Sequence, residues 1–342
     1  LFDCSVWIPA LEKGISILHH MKRGLVIGKF MPLHAGHVAL INFAAERCDE
    51  LIVSLAYREG DPIPGPIRFS WLKEQFESNK KIQLALSVDD FDNDSLTYAD
   101  RMPMWSSFLK GRFPSIDVVF SSELYGALLA VEMGIVHIPF DPERKQFNVS
   151  GSLIRKQPFR YWEFIAPPAR AYFVKKVCFY GPESTGKSTM ARRMAGHYNT
   201  EFVPEVAREL VTSNDFSADD IIRIGNAQTE RVLAKARSAN KILFCDTDLI
   251  TTQVYCRHYL HEVPTILYEL EKQVGYDYYF LFDIDVPWVA DGLRDLGHQR
   301  KEMFNVFEQE LIQRKIPYQL LRGDFQQREA ILKNFIDGLL AE

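Results

Sequence analysis

The chain has few cysteines, and no two of them form a CxxC pair. Cys178 and Cys245 lie inside apolar runs that are typical of buried strands. Such positions predict reduced core thiols, so we expect a cytoplasmic protein rather than a disulfide-stabilised secreted one. The five cysteines among the 342 residues are Cys4, Cys48, Cys178, Cys245 and Cys256.

Positive charge is not in excess either, and long apolar runs are missing. The 40 Lys and Arg residues face 45 Asp and Glu residues, which gives a net charge of −5 and a pI near 6.0. No broad basic field would attract nucleic acid, and no apolar run approaches the roughly 20 residues of a membrane-spanning helix. We therefore expect small molecules as partners, with no nucleic acid and no membrane.

Apolar residues make up 47% of the chain, which is enough for two domains of ordinary size. Short β-rich runs alternate with helix-like patterns, and this alternation predicts an α/β protein with two doubly wound parallel sheets. The strand-like runs are 25–28, 51–55, 82–86, 117–120, 135–138, 177–180, 202–203, 242–245, 278–282 and 318–321. The helix-like segments of the first half include 38–48, 68–80 and 122–133.

A proline-containing break near Pro168 separates the two alternating patterns. It predicts one domain at residues 21–168 and another at residues 169–342, after an extension at residues 1–20 to which we assign no chemistry. Residues 61–66 are dense in turn formers and should form a loop at the strand ends of the first domain. In an open parallel sheet, ligands bind at that edge.

A loop of the HxGH type follows the first strand-like run. Its residues are Gly28, Lys29, Phe30, Met31, Pro32, Leu33, His34, Ala35, Gly36 and His37. Gly36 allows the backbone close to a phosphate, and the helix that follows offers unpaired N–H donors. His34, His37 and Lys29 can then stabilise charge on ATP while a second phosphate attacks its α-phosphorus and pyrophosphate leaves. The loop therefore predicts nucleotidyl transfer.

A later segment of the same half, residues 148–155, supports this interpretation. We expect the hydroxyls of Ser150 and Ser152 at a helix start, with Arg155 within reach of phosphates. One alternative is a helix-capping loop with surface histidines. Another is a zinc site that the two histidines would form with Cys48, although the spacing is not that of a common closed site.

The second half opens with a strong match to the P-loop pattern GxxxxGK[ST]. Its residues are Gly181, Pro182, Glu183, Ser184, Thr185, Gly186, Lys187, Ser188 and Thr189. A strand-like run precedes the match and a helix-like segment follows it, which is the context that the motif requires. Backbone N–H groups would surround the phosphates of ATP, Lys187 would bridge the β- and γ-phosphate oxygens, and Ser188 would bind Mg²⁺.

Carboxylates at two strand ends complete this second site. Asp246 directly follows a strand-like run and is placed to bind Mg²⁺. Asp246, Asp248 and Glu205 are alternative groups that could deprotonate or orient a sugar hydroxyl. For each of them the other interpretation is a helix cap or a surface charge.

A charged segment punctuated by glycine, residues 291–300, follows another strand-like run. Its composition predicts a lid over the second site, in which Arg294 and Arg300 stabilise charge in the transition state. Solvated surface arginines are the alternative.

The first phosphate site resembles the adenylyltransferase superfamily. Members combine GxFxPxHxGH with a late segment of the form Ile-Ser-Ser/Gly-Thr-x-Ile-Arg, and here Val149 and Ser152 take the Ile and Thr places. Both replacements keep the chemistry. The resemblance implies that the adenylyl donor is bound by Lys29, His34, His37, Ser152 and Arg155.

With both sites, the chain resembles the NadR-type bifunctional family over essentially residues 21–342. The resemblance rests on the two phosphate motifs, on residues 161–165 and on residues 204–209. It implies that residues 169–342 form a ribosylnicotinamide kinase, which phosphorylates nicotinamide riboside with MgATP. Residues 21–168 would form a nicotinamide-mononucleotide (NMN) adenylyltransferase, which condenses NMN with ATP to give NAD and pyrophosphate. A homo-oligomer is one assembly that the sequence allows.

Other interpretations share some of these features. Fusions of phosphopantetheine adenylyltransferase with dephospho-coenzyme A kinase have a more glycine-rich phosphate loop, and sulfate-activating enzymes have a longer transferase region. A non-catalytic nucleotide sensor would not need the transfer groups that are present here. Some family members carry an N-terminal helix-turn-helix, but the residues before Met21 are too few to contain one, so we do not expect transcriptional regulation.

Overall fold

The chain divides into two compact units between Ala169 and Arg170, one residue beyond the division that the sequence predicts. The structure, a computed structural model, describes residues 23–92, 95–113, 115–213, 215–289 and 294–341. The expected extension at residues 1–20 and the first part of the expected lid, residues 291–293, lie outside the described residues.

The first unit contains a five-stranded parallel sheet with the order β3-β2-β1-β4-β5. Its strands are β1 (Arg23–Gly28), β2 (Glu50–Tyr57), β3 (Ile82–Val88), β4 (Val118–Ser121) and β5 (Val136–Pro139). Helices cover both faces of such a sheet, and this explains why the central strands are nearly continuous apolar runs.

The helices of the first unit begin and end close to turn-forming or capping residues. They are α1 (Ala35–Ala45), α2 (Gly65–Phe76), α3 (Tyr98–Arg112), α4 (Leu124–Met133), α5 (Gly151–Lys156) and α6 (Pro167–Phe173), which crosses the division. The first begins three residues before the expected position because His34 is its N-cap, with an extended backbone. Helix α3 is not indicated by the sequence pattern, and it contains Pro103.

The second unit repeats the architecture with the strand order β10-β9-β6-β8-β7, again fully parallel. Its strands are β6 (Lys175–Tyr180), β7 (Phe202–Val203), β8 (Ile242–Asp246), β9 (Tyr278–Phe282) and β10 (Tyr318–Leu321). Its helices are α7 (Lys187–His197), α8 (Ala207–Leu210), α9 (Ala218–Ser238), α10 (Leu249–Leu260), α11 (Ile266–Glu271), α12 (Arg300–Gln313) and α13 (Phe325–Ala341).

All ten predicted strands are present, each within two residues at either end, and the predicted fold class is confirmed. In each sheet the strand that leads into a phosphate motif is central, namely β1 in the first unit and β6 in the second. The neighbours of a central strand are reached by connections in opposite directions, which opens a crevice at its carboxyl end. Within the described part of the chain, no helix has the length and apolarity needed to cross a membrane.

Candidate active sites

A cleft of about 910 Å³ lies at the carboxyl end of β1. The structure brings together in its lining all the residues that the sequence assigns to the first site. They are Gly28, Lys29, Phe30, His34, Gly36, His37, Ser150, Ser152 and Arg155.

The two histidines of the HxGH loop are stacked on each other. Their ring centroids are 3.6 Å apart with an interplanar angle of 22°, and the edge of Phe30 packs against His37. Burial lowers the pKa of His34 to about 4, and the nearby charge of Arg144 acts in the same direction. Burial holds the pKa of His37 well below its usual value, and the nearby His34 and Arg144 act in the same direction. A hydrogen bond from the ring to the Pro32 carbonyl oxygen acts against them. In this structure both rings are therefore neutral at pH 7, and the fixed positive charge of the cleft lies on other side chains.

The late segment closes against the HxGH loop as the sequence predicts. Ser150 caps α5 by accepting a hydrogen bond from Leu153 N at 3.3 Å. Arg155 donates to the Met31 carbonyl oxygen and to Ser152 Oγ. At Gly151 a Cβ would collide with that same carbonyl, so only glycine allows this approach of the two segments.

The sequence reasoning missed several charged groups of this cleft, among them Arg144 and Asp89. Arg144 donates to the Val149 carbonyl oxygen and to Glu123, each at 3.1 Å, and it lies close enough to influence both histidines. Asp89 is fully buried and lines the cleft at the end of β3. The available signal for Arg144 was its position just before residues 148–155; Asp89 is one of several acids after a strand, and nothing distinguishes it.

The zinc alternative finds no support. The thiol of Cys48 is buried and donates to the Ala44 carbonyl oxygen at 3.1 Å. Among the residues that the structure describes, no group of three or more His, Cys, Asp or Glu side chains could bind a metal ion.

A smaller cavity of about 150 Å³ lies at the carboxyl end of β6, inside the second unit. Nine of the predicted residues line it, namely Glu183, Ser184, Thr185, Gly186, Lys187, Ser188, Thr189, Glu205 and Arg294. Gly181, Asp246 and Arg300 do not line the cavity, although Thr247, which follows Asp246 in the sequence, does.

The P-loop has the backbone geometry that its glycines allow. Gly181 and Gly186 have φ values of 128° and 91°, in the left-handed region that favours glycine. The Nζ of Lys187 lies inside the loop and donates to the carbonyl oxygens of Gly181 at 2.8 Å and Pro182 at 2.7 Å. Burial lowers the pKa of Lys187, while the acids Asp246 and Glu205 oppose this shift. These carboxylates therefore favour the charged form of the lysine.

The residues present fit a magnesium ion at the end of β8. Asp246 is 1% exposed, and apart from the nearby Ser188 hydroxyl the described residues give its carboxylate no hydrogen-bond donor. Burial raises its pKa to about 6, and repulsion from Glu205 adds to this, while Lys187 and Ser188 act against it. A hydroxyl and a carboxylate are the hard oxygen ligands that Mg²⁺ uses together with phosphates and water.

Of the three carboxylates considered as a base, Asp248 is a structural cap. It accepts hydrogen bonds from Thr251 N at 2.8 Å, Thr251 Oγ1 at 3.0 Å and Tyr279 OH at 2.9 Å, and it does not line the cavity. Glu205 does line the cavity, where it pairs with Arg208 at 2.8 Å. Glu205 is thus exposed to the cavity, and Asp248 is not.

The segment around Arg294 and Arg300 is attached to the P-loop. Arg300 donates to the carbonyl oxygens of Val286 at 2.6 Å and Ser184 at 3.0 Å. Its guanidinium is therefore engaged with backbone, and it does not line the cavity. Its action on transition-state charge stays a prediction. Arg294 lines the cavity and donates to the Val289 carbonyl oxygen at 2.8 Å.

Part of the lining of this cavity is apolar, and the sequence reasoning did not identify it. Aromatic and aliphatic side chains form its walls, namely Val211, Phe216, Ile221, Ile224, Tyr255 and Tyr259. The rings of Phe216 and Tyr259 meet edge to face at 5.3 Å. On sequence alone these positions resemble ordinary core residues. Ile221 and Ile224, like Tyr255 and Tyr259, have the spacing of a buried helix face.

Family models match the two units of the chain separately. A family model described as cytidylyltransferase-like matches residues 25–157, and one described as an AAA domain matches residues 176–328. Two solved NadR structures have a similar fold at 21% sequence identity. The one in complex with NAD and AMP-PNP has a TM-score of 0.78 and covers 94% of this chain and 97% of its own. The one in complex with NR has a TM-score of 0.75 and covers 89% and 90%.

Relatives identified by sequence extend the comparison. A nicotinamide-nucleotide adenylyltransferase of Thermococcus onnurineus is 27% identical over 46% of this chain and 83% of its own length. The trifunctional NAD biosynthesis/regulator protein NadR of Salmonella typhimurium is 32% identical over 324 residues. The protein of that name from Escherichia coli is 32% identical over 323 residues, which cover 86% of this chain and 77% of its own length. The chain therefore belongs to the NadR family.

Proposed function

We propose that this chain makes NAD in two steps, each in its own unit. The second unit phosphorylates nicotinamide riboside with MgATP to give NMN, and the first transfers the adenylyl group of ATP to NMN, releasing pyrophosphate. The observation that carries the proposal is the presence of two phosphate-binding sites of different chemistry, each with its own cavity, in a member of the NadR family.

In the kinase step, the P-loop backbone and Lys187 hold the phosphates of ATP, whose oxygens compete with the Gly181 and Pro182 carbonyls for the ammonium. When bound by Ser188 and Asp246, Mg²⁺ would neutralise charge on the β- and γ-phosphates. Glu205 accepts a hydrogen bond from the ribose hydroxyl that attacks and orients it toward the γ-phosphorus. As the new O–P bond forms, the bond to the β-phosphate oxygen breaks, ADP leaves and Glu205 takes the hydroxyl proton. Arg294, on the same cavity wall, stabilises charge on the transferred group.

In the adenylyl step, the neutral ring of His34 donates a hydrogen bond to the phosphates of ATP. His37, whose N–H bonds to the Pro32 carbonyl oxygen, holds that ring in place by stacking on it. The positive charge in the cleft comes instead from Lys29, Arg144 and Arg155. The phosphate of NMN attacks the α-phosphorus, and the bond from that phosphorus to the β-phosphate oxygen breaks. Pyrophosphate leaves with the electron pair of this bond. No covalent enzyme intermediate is needed, because positioning and electrostatic stabilisation supply the catalysis. We also propose that both steps take place in the cytoplasm.

Product analysis by mass spectrometry tests the proposal. Purified protein receives nicotinamide riboside and MgATP and nothing else, and we expect NAD and pyrophosphate. NMN without NAD would support the kinase and contradict the proposed adenylyl acceptor. The absence of any product would contradict both steps, and coenzyme A precursors would then be the next substrates to try.

A further inference from the structure

One buried amide in the second cavity uses only part of its hydrogen-bonding capacity. Gln228, on α9, is 3% exposed and lines the cavity. Its Oε1 accepts a hydrogen bond from the Val206 backbone N–H at 3.1 Å. Its Nε2 is buried and has no hydrogen-bond partner among the residues that the structure describes. A buried donor without an acceptor costs free energy, so this group points to something that the cavity receives.

The bond to Val206 determines which end of the amide faces the cavity. A backbone N–H can only donate, so the side chain must present its oxygen to Val206. Its nitrogen must therefore point the other way. None of the described residues supplies an acceptor for this nitrogen, whereas a molecule bound in the cavity that Gln228 lines can supply one.

The walls around Gln228 are suited to a flat ring. Ile221 and Ile224 precede it on the same face of α9, at helical spacing, and both line the cavity. Phe216 and Tyr255 add aromatic surface to the same cavity. Phosphates belong to the P-loop end, where Lys187 lies. The base of a nucleoside would be buried against the apolar cluster that contains Phe216, Ile221 and Ile224.

We infer that Gln228 donates a hydrogen bond from Nε2 to the exocyclic carbonyl oxygen on the pyridine base, and that this bond selects nucleosides whose base carries that carbonyl. The inference rests on the proposed kinase function and adds a specificity residue to it. The sugar hydroxyls can bond to the charged pair Glu205 and Arg208 in the same cavity. A carbonyl buried among apolar side chains loses its bonds to water and needs a donor such as this one.

The test compares nucleosides that differ only at this group. Pyridinium riboside lacks the carbonyl, whereas acetylpyridine riboside keeps it and lacks only the amide nitrogen. In the wild-type protein we expect kcat/KM for phosphorylation of nicotinamide riboside to exceed that for pyridinium riboside about tenfold. Acetylpyridine riboside should behave like nicotinamide riboside.

The informative variant is Gln228→Glu, which keeps an acceptor for the Val206 N–H and removes the donor. We expect it to bring the ratio of kcat/KM for acetylpyridine riboside to that for pyridinium riboside close to one, because the acetyl group has no N–H that could donate to the new carboxylate. All three bases are pyridinium cations, so the added charge cancels in that ratio. Phosphorylation of any of the three ribosides, or a cooperative unfolding transition of the second unit, reports that the variant is folded.

A matched control is Gln253→Glu. Gln253 is also fully buried in the second unit, but both ends of its amide are bonded, to Glu271 and to Arg314, each at 2.7 Å, and it does not line the cavity. This variant should keep the wild-type ratio even if it lowers stability. The comparison separates a contact with the base from general damage to the unit.

Three results would overturn the inference. One is an unchanged ratio in folded Gln228→Glu protein, and another is a ratio that shifts equally in the Gln253→Glu control. Equal rates on nicotinamide riboside and pyridinium riboside in the wild-type protein would overturn it even if Gln228→Glu did not fold. In each of these cases phosphorylation of nicotinamide riboside persists and the proposed function stands, whereas a wild-type protein that neither phosphorylates nor binds that nucleoside would remove both.

Discussion

The two phosphate sites lie at the same place in two similar sheets, yet they differ in size and in how charge is arranged. The first is a cleft of about 910 Å³ with stacked, uncharged histidines, and its positive charge lies on Lys29, Arg144 and Arg155. The second is a cavity of about 150 Å³ whose lysine is buried within the loop itself. A large cleft has room for two nucleotides that react side by side. A P-loop instead surrounds the phosphates of one ATP, whose terminal phosphate is transferred. The same edge of a sheet therefore serves both chemistries, and local loops decide which.

The largest expected effect comes from removing the buried cation of the second site. Lys187→Ala should lower the kinase rate about 10³-fold, because one preorganised charge on the transferred phosphate is lost. Adenylylation of NMN, assayed separately, should keep its rate. Lys175→Ala is the control, since that lysine pairs with Asp277 at the start of β6, away from the cavity. Loss of both activities in folded Lys187→Ala protein would contradict the two-site scheme.

The reverse pattern is expected for His37→Ala. Adenylylation of NMN should fall about 10²-fold, because the ring that stacks on His34 and positions it disappears, while phosphorylation of nicotinamide riboside continues. The exposed His197, at the end of α7, provides the matched His197→Ala control. A pH profile of the wild-type protein tests the protonation state. If His34 donates as a neutral ring, the wild-type adenylylation rate should not fall between pH 7 and 8.

A smaller effect separates two carboxylates of the second unit. Glu205→Gln should lower the kinase kcat about 10²-fold, since the amide can still accept the hydrogen bond of the ribose hydroxyl but cannot take its proton. Asp248→Asn keeps an acceptor for Thr251 N, so it should change stability more than kcat. A kcat loss in Asp248→Asn protein that matches the loss in Glu205→Gln protein would contradict these roles.

The smallest effect concerns stability. The pKa of Asp246 is raised from its ordinary value to about 6 in the folded protein, so between pH 4 and 6 the folded state binds more protons than the unfolded state. Stability should therefore fall as the pH rises through that window. Asp246→Asn carries no such charge and should be more stable at pH 7, by on the order of 2 kcal/mol. Its advantage should vanish near pH 4.

Denaturant unfolding without Mg²⁺, followed from pH 4 to pH 8, provides the measurement. The kinase rate of Asp246→Asn should be lost at the same time, which links the cost in stability to function. A variant as stable as the wild type at every pH would contradict the claim that this buried carboxylate lacks compensation.

Helix α3 shows where the sequence pattern was not sufficient. Its buried residues Met102, Trp105 and Leu109 have helical spacing, but Pro103 and the polar residues around them weaken the signal. Thr97 begins the helix by accepting a hydrogen bond from Asp100 N. Packing against the sheet then stabilises a segment whose own propensity is low, because tertiary contacts routinely override such preferences.

The amino-acid sequence by itself determined the two parallel sheets, the division near Pro168 and both phosphate loops. These features depend on local patterns of apolar and turn-forming residues, which can be recognised without knowing their neighbours. Tertiary structure alone decided the neutral histidines, the capping role of Asp248 and the donor that Gln228 presents. Each of these depends on burial and on partners brought from distant parts of the chain, and neither can be inferred from residue spacing.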